Sequence, residues 1–290
     1  MTGTYTGPQV NAGMSERSPP DEGAEMETVT STDGTEIAFA RTGRGPPLVL
    51  VHGATLDHRV WEIGDVHSTL AENATVYAID RRGRGESGDA EEYEPEREFE
   101  DVAAVVESID EPVTLLGHSA GGFYTVEAAR RTDNLRGLVL YEPAMPVNGY
   151  NIGSESARAE MVSLLEAGKI EQAYVIFFEE IAEWTPEEVD AVRSAPTWKE
   201  HVERFPTLLP KYGEIPGYEF HPTRFANLTT PTLLLTGSES PEWGKETTEA
   251  LDDALPNTRV HTFDGHGHAA MLTASDRFID VVLAFIRGES

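Results

Sequence analysis

Hydrophobic positions along the chain alternate between short continuous runs and longer segments with helical spacing. Before the first long run, two β-rich segments, Glu27–Ser31 and Glu36–Arg41, flank the turn dipeptide Asp33-Gly34 and predict a hairpin. Further runs are apolar or β-branched throughout, as expected of strands buried on both faces of a parallel sheet: Leu48–Val51, Thr75–Ile79, Val113–Leu116 and Leu138–Tyr141. The pattern predicts an α/β fold with a mostly parallel central sheet flanked by helices.

From Pro146 to about Pro222 this alternation stops, and only helical spacing remains. Within the stretch, Thr185 and Glu188 with Pro186 between them have the spacing of a helix-capping box. An all-helical stretch of this length is too long for a simple crossover between two strands, so it predicts an inserted helical cap. One apolar stripe at helical spacing and a nearby tryptophan could either line an apolar pocket or pack within the cap. These residues are Ile170, Ala173, Tyr174, Phe177, Phe178, Ile181 and Trp184.

The alternation then resumes and continues to the end of the chain. It predicts strands at Thr232–Leu235 and Arg259–Phe263 with a helix near Glu246–Ala254 between them, then a last amphipathic helix around Phe278 and Val282. The first residues are polar and rich in Gly and Pro, which predicts disorder. We therefore divide the chain into a disordered tail (1–24), a first part of the core (25–145), the helical cap (146–222) and a second part of the core (223–290).

One charged run precedes a predicted amphipathic helix. Between Asp89 and Glu100 the chain has seven carboxylates and one Arg, and the apolar positions of the helix follow from Phe99 onward. Charge runs of this kind are usually solvated, so we expect this one to form an exposed face.

Charge and cysteine content exclude several classes of protein. The 290 residues include 51 Asp and Glu against 22 Lys and Arg, for a formal net charge of −29, and no Cys. Disulfide, zinc-thiolate and thiol-enzyme chemistry are thereby excluded, and such an acidic chain is not expected to bind nucleic acid or an anionic membrane. With 39% hydrophobic residues the chain can form a core. The acidic excess resembles that of proteins from salt-in halophiles.

No apolar run reaches the roughly 18–20 residues of a membrane-spanning helix. The first residues also lack the hydrophobic region of a secretory signal. We therefore expect a cytoplasmic protein.

Candidate chemistry begins with Gly117-x-Ser119-x-Gly121, which lies where a predicted strand ends and a helix begins. That context is required of a nucleophile elbow, a tight turn that holds a serine in a strained conformation. A serine hydroxyl needs a base within hydrogen-bond reach. Among nine histidines, His266 and His268 lie on the loop after the last predicted strand, from which either could reach Ser119.

Four motifs in this order resemble the α/β-hydrolase superfamily, in its branch of serine hydrolases with a helical cap. They are His52-Gly53-Ala54, the stretch Asp80–Ser87, Gly117–Gly122 and Gly265-His266-Gly267-His268. The resemblance implies the α/β-hydrolase fold with an inserted cap and identifies His268 as the base. It also implies an oxyanion hole formed by the backbone N–H groups of Ala54 and Ala120, a structural role for Asp80–Ser87, and no metal or organic cofactor.

The sequence departs from that family at the acid that orients the histidine. Most relatives have an Asp after the seventh strand, where this chain has Ser240, and a Ser cannot stabilise an imidazolium as a carboxylate does. Glu239 is one position early, and Glu142 follows the sixth strand, which is where a subset of the superfamily has its acid. We favour Glu142 as the acid, with Glu239 as the alternative.

A serine at the elbow favours acyl chemistry and disfavours the reactions that relatives perform with an Asp nucleophile. The sequence therefore predicts a serine hydrolase that cleaves small carboxylic esters or lactones through an acyl-enzyme, with a small molecule as its substrate. Alternatives left open are a triad-bearing small-molecule receptor with little turnover and, among enzymes, a C–C hydrolase, an acyltransferase or a cofactor-free haloperoxidase-like activity.

Overall fold

Eight strands form one sheet in the computed structural model, which describes residues 26–90, 93–147, 152–208 and 218–289. Their order across the sheet is β1-β2-β4-β3-β5-β6-β7-β8. Strands β1 and β2 are antiparallel to their neighbours, and all other pairs are parallel. The strands are β1 (Met26–Thr30), β2 (Glu36–Gly43), β3 (Pro47–Val51), β4 (Thr75–Ile79), β5 (Val113–His118), β6 (Leu135–Tyr141), β7 (Thr232–Gly237) and β8 (Thr258–Phe263).

Helices cover both faces of this sheet. They are α1 (Val66–Ala71), α2 (Pro95–Glu107), α3 (Ala120–Ala128), α4 (Glu155–Glu166), α5 (Ile170–Ile176), α6 (Pro186–Arg193), α7 (Trp198–Leu208), α8 (Glu242–Ala254), α9 (Ala270–Thr273) and α10 (Ser275–Arg287). Side chains alternate along each strand, so Leu48 and Leu50 of β3 pack on the side of α1 and α10, while Val49 and Val51 pack on the side of α2, α3 and α8. The predicted mostly parallel α/β sheet is confirmed.

Most of the predicted elements occur where the pattern places them. The hairpin pairs Met26 with Ala40 and Thr30 with Glu36, and Phe278 and Val282 of the last helix are fully buried. The helix that was expected near Glu246 begins earlier, at Glu242. The predicted tail, residues 1–24, lies outside the described residues.

Helices α4 to α7 occupy the chain between β6 and β7, where the described residues contain no strand. The capping box of α6 is confirmed, because the Thr185 side chain accepts from the Glu188 N–H and the Glu188 carboxylate accepts from the Thr185 N–H. Two contacts tie these helices to the loop after β3. His201 Nε2 lies 2.9 Å from Asp57 Oδ2, and the Tyr174 hydroxyl lies 3.1 Å from Thr55 Oγ1.

The expectation of a solvated charge run is wrong for Glu98, which is buried. Its two carboxylate oxygens accept from Arg81 Nε and Nη2 at 2.6 and 2.9 Å. Burial raises the pKa of Glu98, but the Arg81 and Arg84 charges and the hydrogen bond from Arg81 outweigh it and lower that pKa to about 2. Glu98 lies on the buried face of α2, so this one carboxylate of the run points inward and binds Arg81 in the loop after β4.

This buried arginine supports the loop that follows β3. Arg81 Nη1 donates to the carbonyl of Gly53 at 2.8 Å, and the Arg81 guanidinium lies 4.4 Å from the centroid of the Tyr124 ring. Asp80 acts in the same region, since its carboxylate accepts from the backbone N–H groups of His58 and Glu86. The stretch that begins at Asp80 thus ties loops together.

None of the helices in the described part of the chain has the length and the apolar composition that a membrane-spanning segment requires.

A buried histidine at the end of β3 makes the stability of this fold depend on pH. His52 Nδ1 donates to the Gly53 carbonyl, and Nε2 accepts from the Arg81 N–H, so the ring is held in its neutral form. Burial, aided by the nearby Arg81 charge, lowers the pKa of His52 to about 3 from the ordinary 6.5. Between these two pKa values the unfolded chain binds a proton at His52 and the folded chain does not. The contribution of neutral His52 to the free energy of unfolding is therefore complete above about pH 6.5 and decreases as the pH falls toward 3.

We expect the free energy of unfolding to depend less steeply on pH in His52→Asn, because this residue no longer binds a proton on unfolding. The slope against pH should be smaller by about 1.4 kcal/mol per pH unit between pH 6 and 4. Urea titrations at a series of pH values measure this slope. His221→Asn is the matched control, since His221 is exposed, and should leave the slope unchanged. An unaltered slope in the His52 variant would contradict a neutral buried imidazole.

Candidate active site

Ser119 lies at the sharp turn between β5 and α3. Its backbone has φ 55° and ψ −125°, a strained conformation for a residue with a side chain. The turn is possible because a Cβ on Gly117 would lie 2.4 Å from Thr125 Oγ1, and one on Gly121 would lie 2.3 Å from the His52 carbonyl oxygen. Glycine at both positions lets β3, β5 and α3 approach closely, and this packing holds the serine in place.

His268 lies in the loop after β8 and binds the carboxylate of Glu142. The distance from His268 Nδ1 to Glu142 Oε2 is 2.6 Å, and both side chains are fully buried. With Nδ1 donating to the carboxylate, the ring keeps a basic Nε2. That nitrogen is buried and has no hydrogen-bond partner among the described residues. The imidazole is thus oriented on one side and free to accept a proton on the other.

Glu142 is the first residue after β6 and has a positive φ of 39°. Its second oxygen, Oε1, accepts from the Thr236 hydroxyl at 2.6 Å and from the Gly237 N–H at 3.1 Å. A Cβ on Gly244 would lie 2.7 Å from Oε2, so only glycine leaves room for the carboxylate there. The end of β7 and the first turn of α8 together form a fitted site for this buried charge.

Glu239, the alternative acid, lies on the surface. Its backbone N–H donates to the His266 carbonyl at 2.9 Å, while its side chain is exposed. Ser240, at the position where the family resemblance implies the acid, is buried, and its hydroxyl accepts from the Gly237 N–H at 3.0 Å. The structure therefore brings Glu142, and not Glu239, to His268. His266, the other histidine of the loop, hydrogen-bonds Thr273 through Nδ1.

The two residues expected to form an oxyanion hole lie in segments next to this serine, since a Cβ on Gly53, directly before Ala54, would lie 3.4 Å from Ser119 Cβ. Ala120 is the first residue of α3, and N–H groups in the first turn of a helix have no acceptor within the helix. Ala54 follows the Gly53 carbonyl that Arg81 binds. The loop after β3 and the N-terminus of α3 thus meet beside Ser119.

Sequence reasoning missed two side chains that position His268. His118 donates from Nε2 to the His268 carbonyl at 2.9 Å, and burial together with the His268 charge lowers the pKa of His118 well below its ordinary value. Trp243 packs against the imidazole, with ring centroids 4.7 Å apart. His118 is the variable residue before the elbow serine, so the motif drew no attention to it, and no local pattern marks Trp243.

Three side chains near the loop after β3 lie close enough together to hold a metal ion: Asp57, His58 and Asp80. Each already has protein partners. Asp57 binds Arg59 and His201, while His58 Nδ1 lies 2.8 Å from Asp80 Oδ1. The local charges are compensated by this network, which fits a structural cluster.

Comparison with known proteins agrees with this architecture. Residues 48–281 match the alpha/beta hydrolase family, and the chain belongs to that family. The crystal structure of an alpha/beta hydrolase from Sphaerobacter thermophilus is 33% identical, with a TM-score of 0.73 over 90% of this chain and 100% of that one. An esterase from Rhodococcus is 25% identical, with a TM-score of 0.75 over 91% of this chain and 99% of that one.

A curated relative, described as a putative esterase/lipase of Haemophilus influenzae, is 24% identical over 83% of each chain. Fold, family and relatives together establish the chain as a carboxylesterase-like hydrolase.

We expect Glu142→Gln to lower kcat for hydrolysis by on the order of 10³–10⁴, because an amide cannot stabilise the imidazolium that forms during turnover. Glu239→Gln is the matched control and should keep kcat close to that of the unmodified protein. Initial rates with a chromogenic ester measure both, and circular dichroism checks the fold. A larger loss in the Glu239 variant, or none in either, would reject Glu142 as the acid.

Proposed function

We propose that this chain is a serine hydrolase that cleaves small carboxylic esters or lactones through an acyl-enzyme intermediate. The observation that carries the proposal is the 2.6 Å bond between His268 Nδ1 and Glu142, which leaves the buried Nε2 without a hydrogen-bond partner among the described residues. His118, directly before the strained elbow serine, donates to the His268 carbonyl at 2.9 Å and ties the histidine to the elbow. A nucleophile, a base and an acid that orients the base are the parts that acyl transfer requires.

In the proposed reaction Ser119 Oγ attacks the carbonyl carbon while His268 Nε2 takes the hydroxyl proton. The Glu142 carboxylate stabilises the resulting imidazolium, and the N–H groups of Ala54 and Ala120 donate to the tetrahedral oxyanion. Collapse of that intermediate breaks the bond to the leaving alkoxide, which receives the proton from His268. Water then attacks the acyl-enzyme with the same base, which releases the acid and regenerates Ser119.

The enclosure of the site supports a small substrate. Ser119 is only 8% exposed, and His268 is fully buried. Trp184, from the helical segment between β6 and β7, lies with its ring 6.2 Å from that of His268 and 4.7 Å from that of Phe178. We propose that this segment is a cap over the site, with Trp184 as its apolar contact to the acyl group.

Much of the apolar stripe in that segment packs within the segment itself. Tyr174 contacts Phe178 and Phe205 with ring centroids 4.9 and 4.7 Å apart. The stripe therefore supports packing of the cap more than the lining of a large pocket, which again favours small acyl groups. The Rhodococcus and Haemophilus relatives are both described as esterases, which agrees with an ester substrate.

We expect turnover of short-chain p-nitrophenyl esters and of small lactones in molar KCl, with kcat/KM falling as the acyl chain lengthens because the site is enclosed. Ser119→Ala should abolish this turnover, because the variant lacks the hydroxyl that attacks the carbonyl carbon in the proposed reaction. Ser163→Ala is the matched control, since Ser163 is exposed and lies outside the proposed triad.

Turnover that survives in the Ser119 variant would reject the mechanism. No turnover in the unmodified protein, with tight binding of one of the same compounds in a calorimetric titration, would instead support a small-molecule receptor.

A further inference from the structure

Side chains from several elements hold the loop that carries His268. In each of the four consecutive residues 267–270, a side chain binds one backbone group. The Tyr141 hydroxyl donates to the Gly267 carbonyl at 2.6 Å and accepts from the Ala270 N–H at 3.0 Å. His118 donates to the His268 carbonyl at 2.9 Å, and Glu188 accepts from the Ala269 N–H at 2.5 Å. Tyr141 and His118 belong to the central sheet. Glu188 differs from them, because it comes from α6 in the helical segment between β6 and β7.

Glu188 has a second bond in its own helix. Its Oε2 accepts from the N–H of Thr185 at 2.8 Å and completes the capping box, while its Oε1 accepts from the N–H of Ala269. One carboxylate therefore joins the start of α6 to the residue directly after His268. The two oxygens point to two different parts of the chain, and neither bond can be replaced by the other.

The burial of this charge indicates more than helix capping. Glu188 is 0% exposed and has no ion-pair partner among the described residues, whereas its neighbour Glu187 is exposed. A capping box works at the surface of a protein, and an unpaired buried carboxylate is costly unless hydrogen bonds compensate it. Here the two N–H donors and the N-terminal end of α6 supply the compensation.

The loop is also shaped to receive the carboxylate. A Cβ on Gly267 would lie 2.9 Å from Glu188 Oε2 and 2.9 Å from Thr185 Cγ2. Glycine at this position is therefore what allows α6 to approach the loop. Residues of α6 and of the loop therefore together form the site that the Glu188 carboxylate occupies.

We propose that Glu188 is a positioning residue that couples the docking of α6 to the orientation of His268. This proposal rests on the proposed hydrolytic function. With α6 in place, the Ala269 N–H is anchored and the imidazole is held toward Ser119. When α6 separates from the core, the loop loses this tether, and His268 loses its fixed position. The helical segment would thereby control catalysis as well as access to the site.

Three variants test the coupling. Glu188→Gln presents an amide NH₂ to one of the two N–H donors and removes the charge, so one tether is lost. We expect kcat for a p-nitrophenyl ester to fall by on the order of tenfold or more with a smaller change in KM.

The two controls separate positioning from capping. Thr185→Ala removes the hydroxyl that caps the Glu188 N–H but keeps the carboxylate, so it should lower the Tm and leave kcat and KM unchanged. Glu187→Gln alters an exposed carboxylate in the same helical turn and should match the unmodified protein in all three measurements.

Amide hydrogen exchange provides a readout that needs no substrate. The peptide containing His268 and Ala269 should exchange faster in Glu188→Gln than in Thr185→Ala. If the unmodified protein hydrolyses no ester, the proposed function fails, and this exchange comparison still decides whether Glu188 holds the loop.

A Glu188→Gln variant with unchanged kcat, KM and loop exchange, and only a lower Tm, would overturn the proposal and leave a helix cap. Should that variant not fold, Gly267→Ala displaces the carboxylate from the loop side and is expected to give the same kinetic loss. Unaltered kcat in Gly267→Ala would overturn the proposal equally.

Discussion

The hydrogen bond between Glu142 and His268 joins two loops that are 126 residues apart in the sequence. It can form because parallel strands bring the loops after β5, β6 and β8 to one edge of the sheet. Both partners are buried, so the bond must be supported on every side. Thr236 and Gly237 bind the second carboxylate oxygen, and Gly244 leaves the space for the first. This one contact therefore accounts for the residue types at the end of β7 and in the first turn of α8.

The contact between Glu142 and His268 accounts for the serine in the loop after β7, where the family resemblance implies an aspartate. Ser240 satisfies the Gly237 N–H and needs no charge, because Glu142 reaches the imidazole from the neighbouring strand. The exposed Glu239 belongs to the acidic surface. A carboxylate can thus be displaced by one strand in this architecture, provided the strand ends remain adjacent and the imidazole keeps one carboxylate partner.

Features set by local pattern could be predicted from the sequence. The buried strands, the turn with Ser119 and the capping box at Thr185 depend on short-range spacing and on glycine, and they occur as predicted. The preference for Glu142 came from a resemblance, and its contact with His268 comes from the packing of distant strands. The sequence alone could not rank the two acids by distance.

Tertiary packing decided the remaining features. Glu98 and Glu188 resemble surface residues in the sequence, yet both are buried. Arg81 binds Glu98 from a different loop, and backbone N–H groups bind Glu188. His118 likewise looks incidental beside Ser119 until its bond to the His268 carbonyl is seen. The side chains that support the site are therefore less visible in the sequence than those proposed to perform the chemistry.

Covalent trapping with an aryl fluorophosphonate, followed by peptide mass spectrometry, tests the assignment of Ser119 as nucleophile and His268 as its base. This assignment predicts one phosphonyl group, located on Ser119, with loss of ester hydrolysis in proportion to labelling and much slower labelling in the His268→Ala variant. Inactivation with the label on a different residue, or full hydrolysis by protein labelled at Ser119, would contradict it.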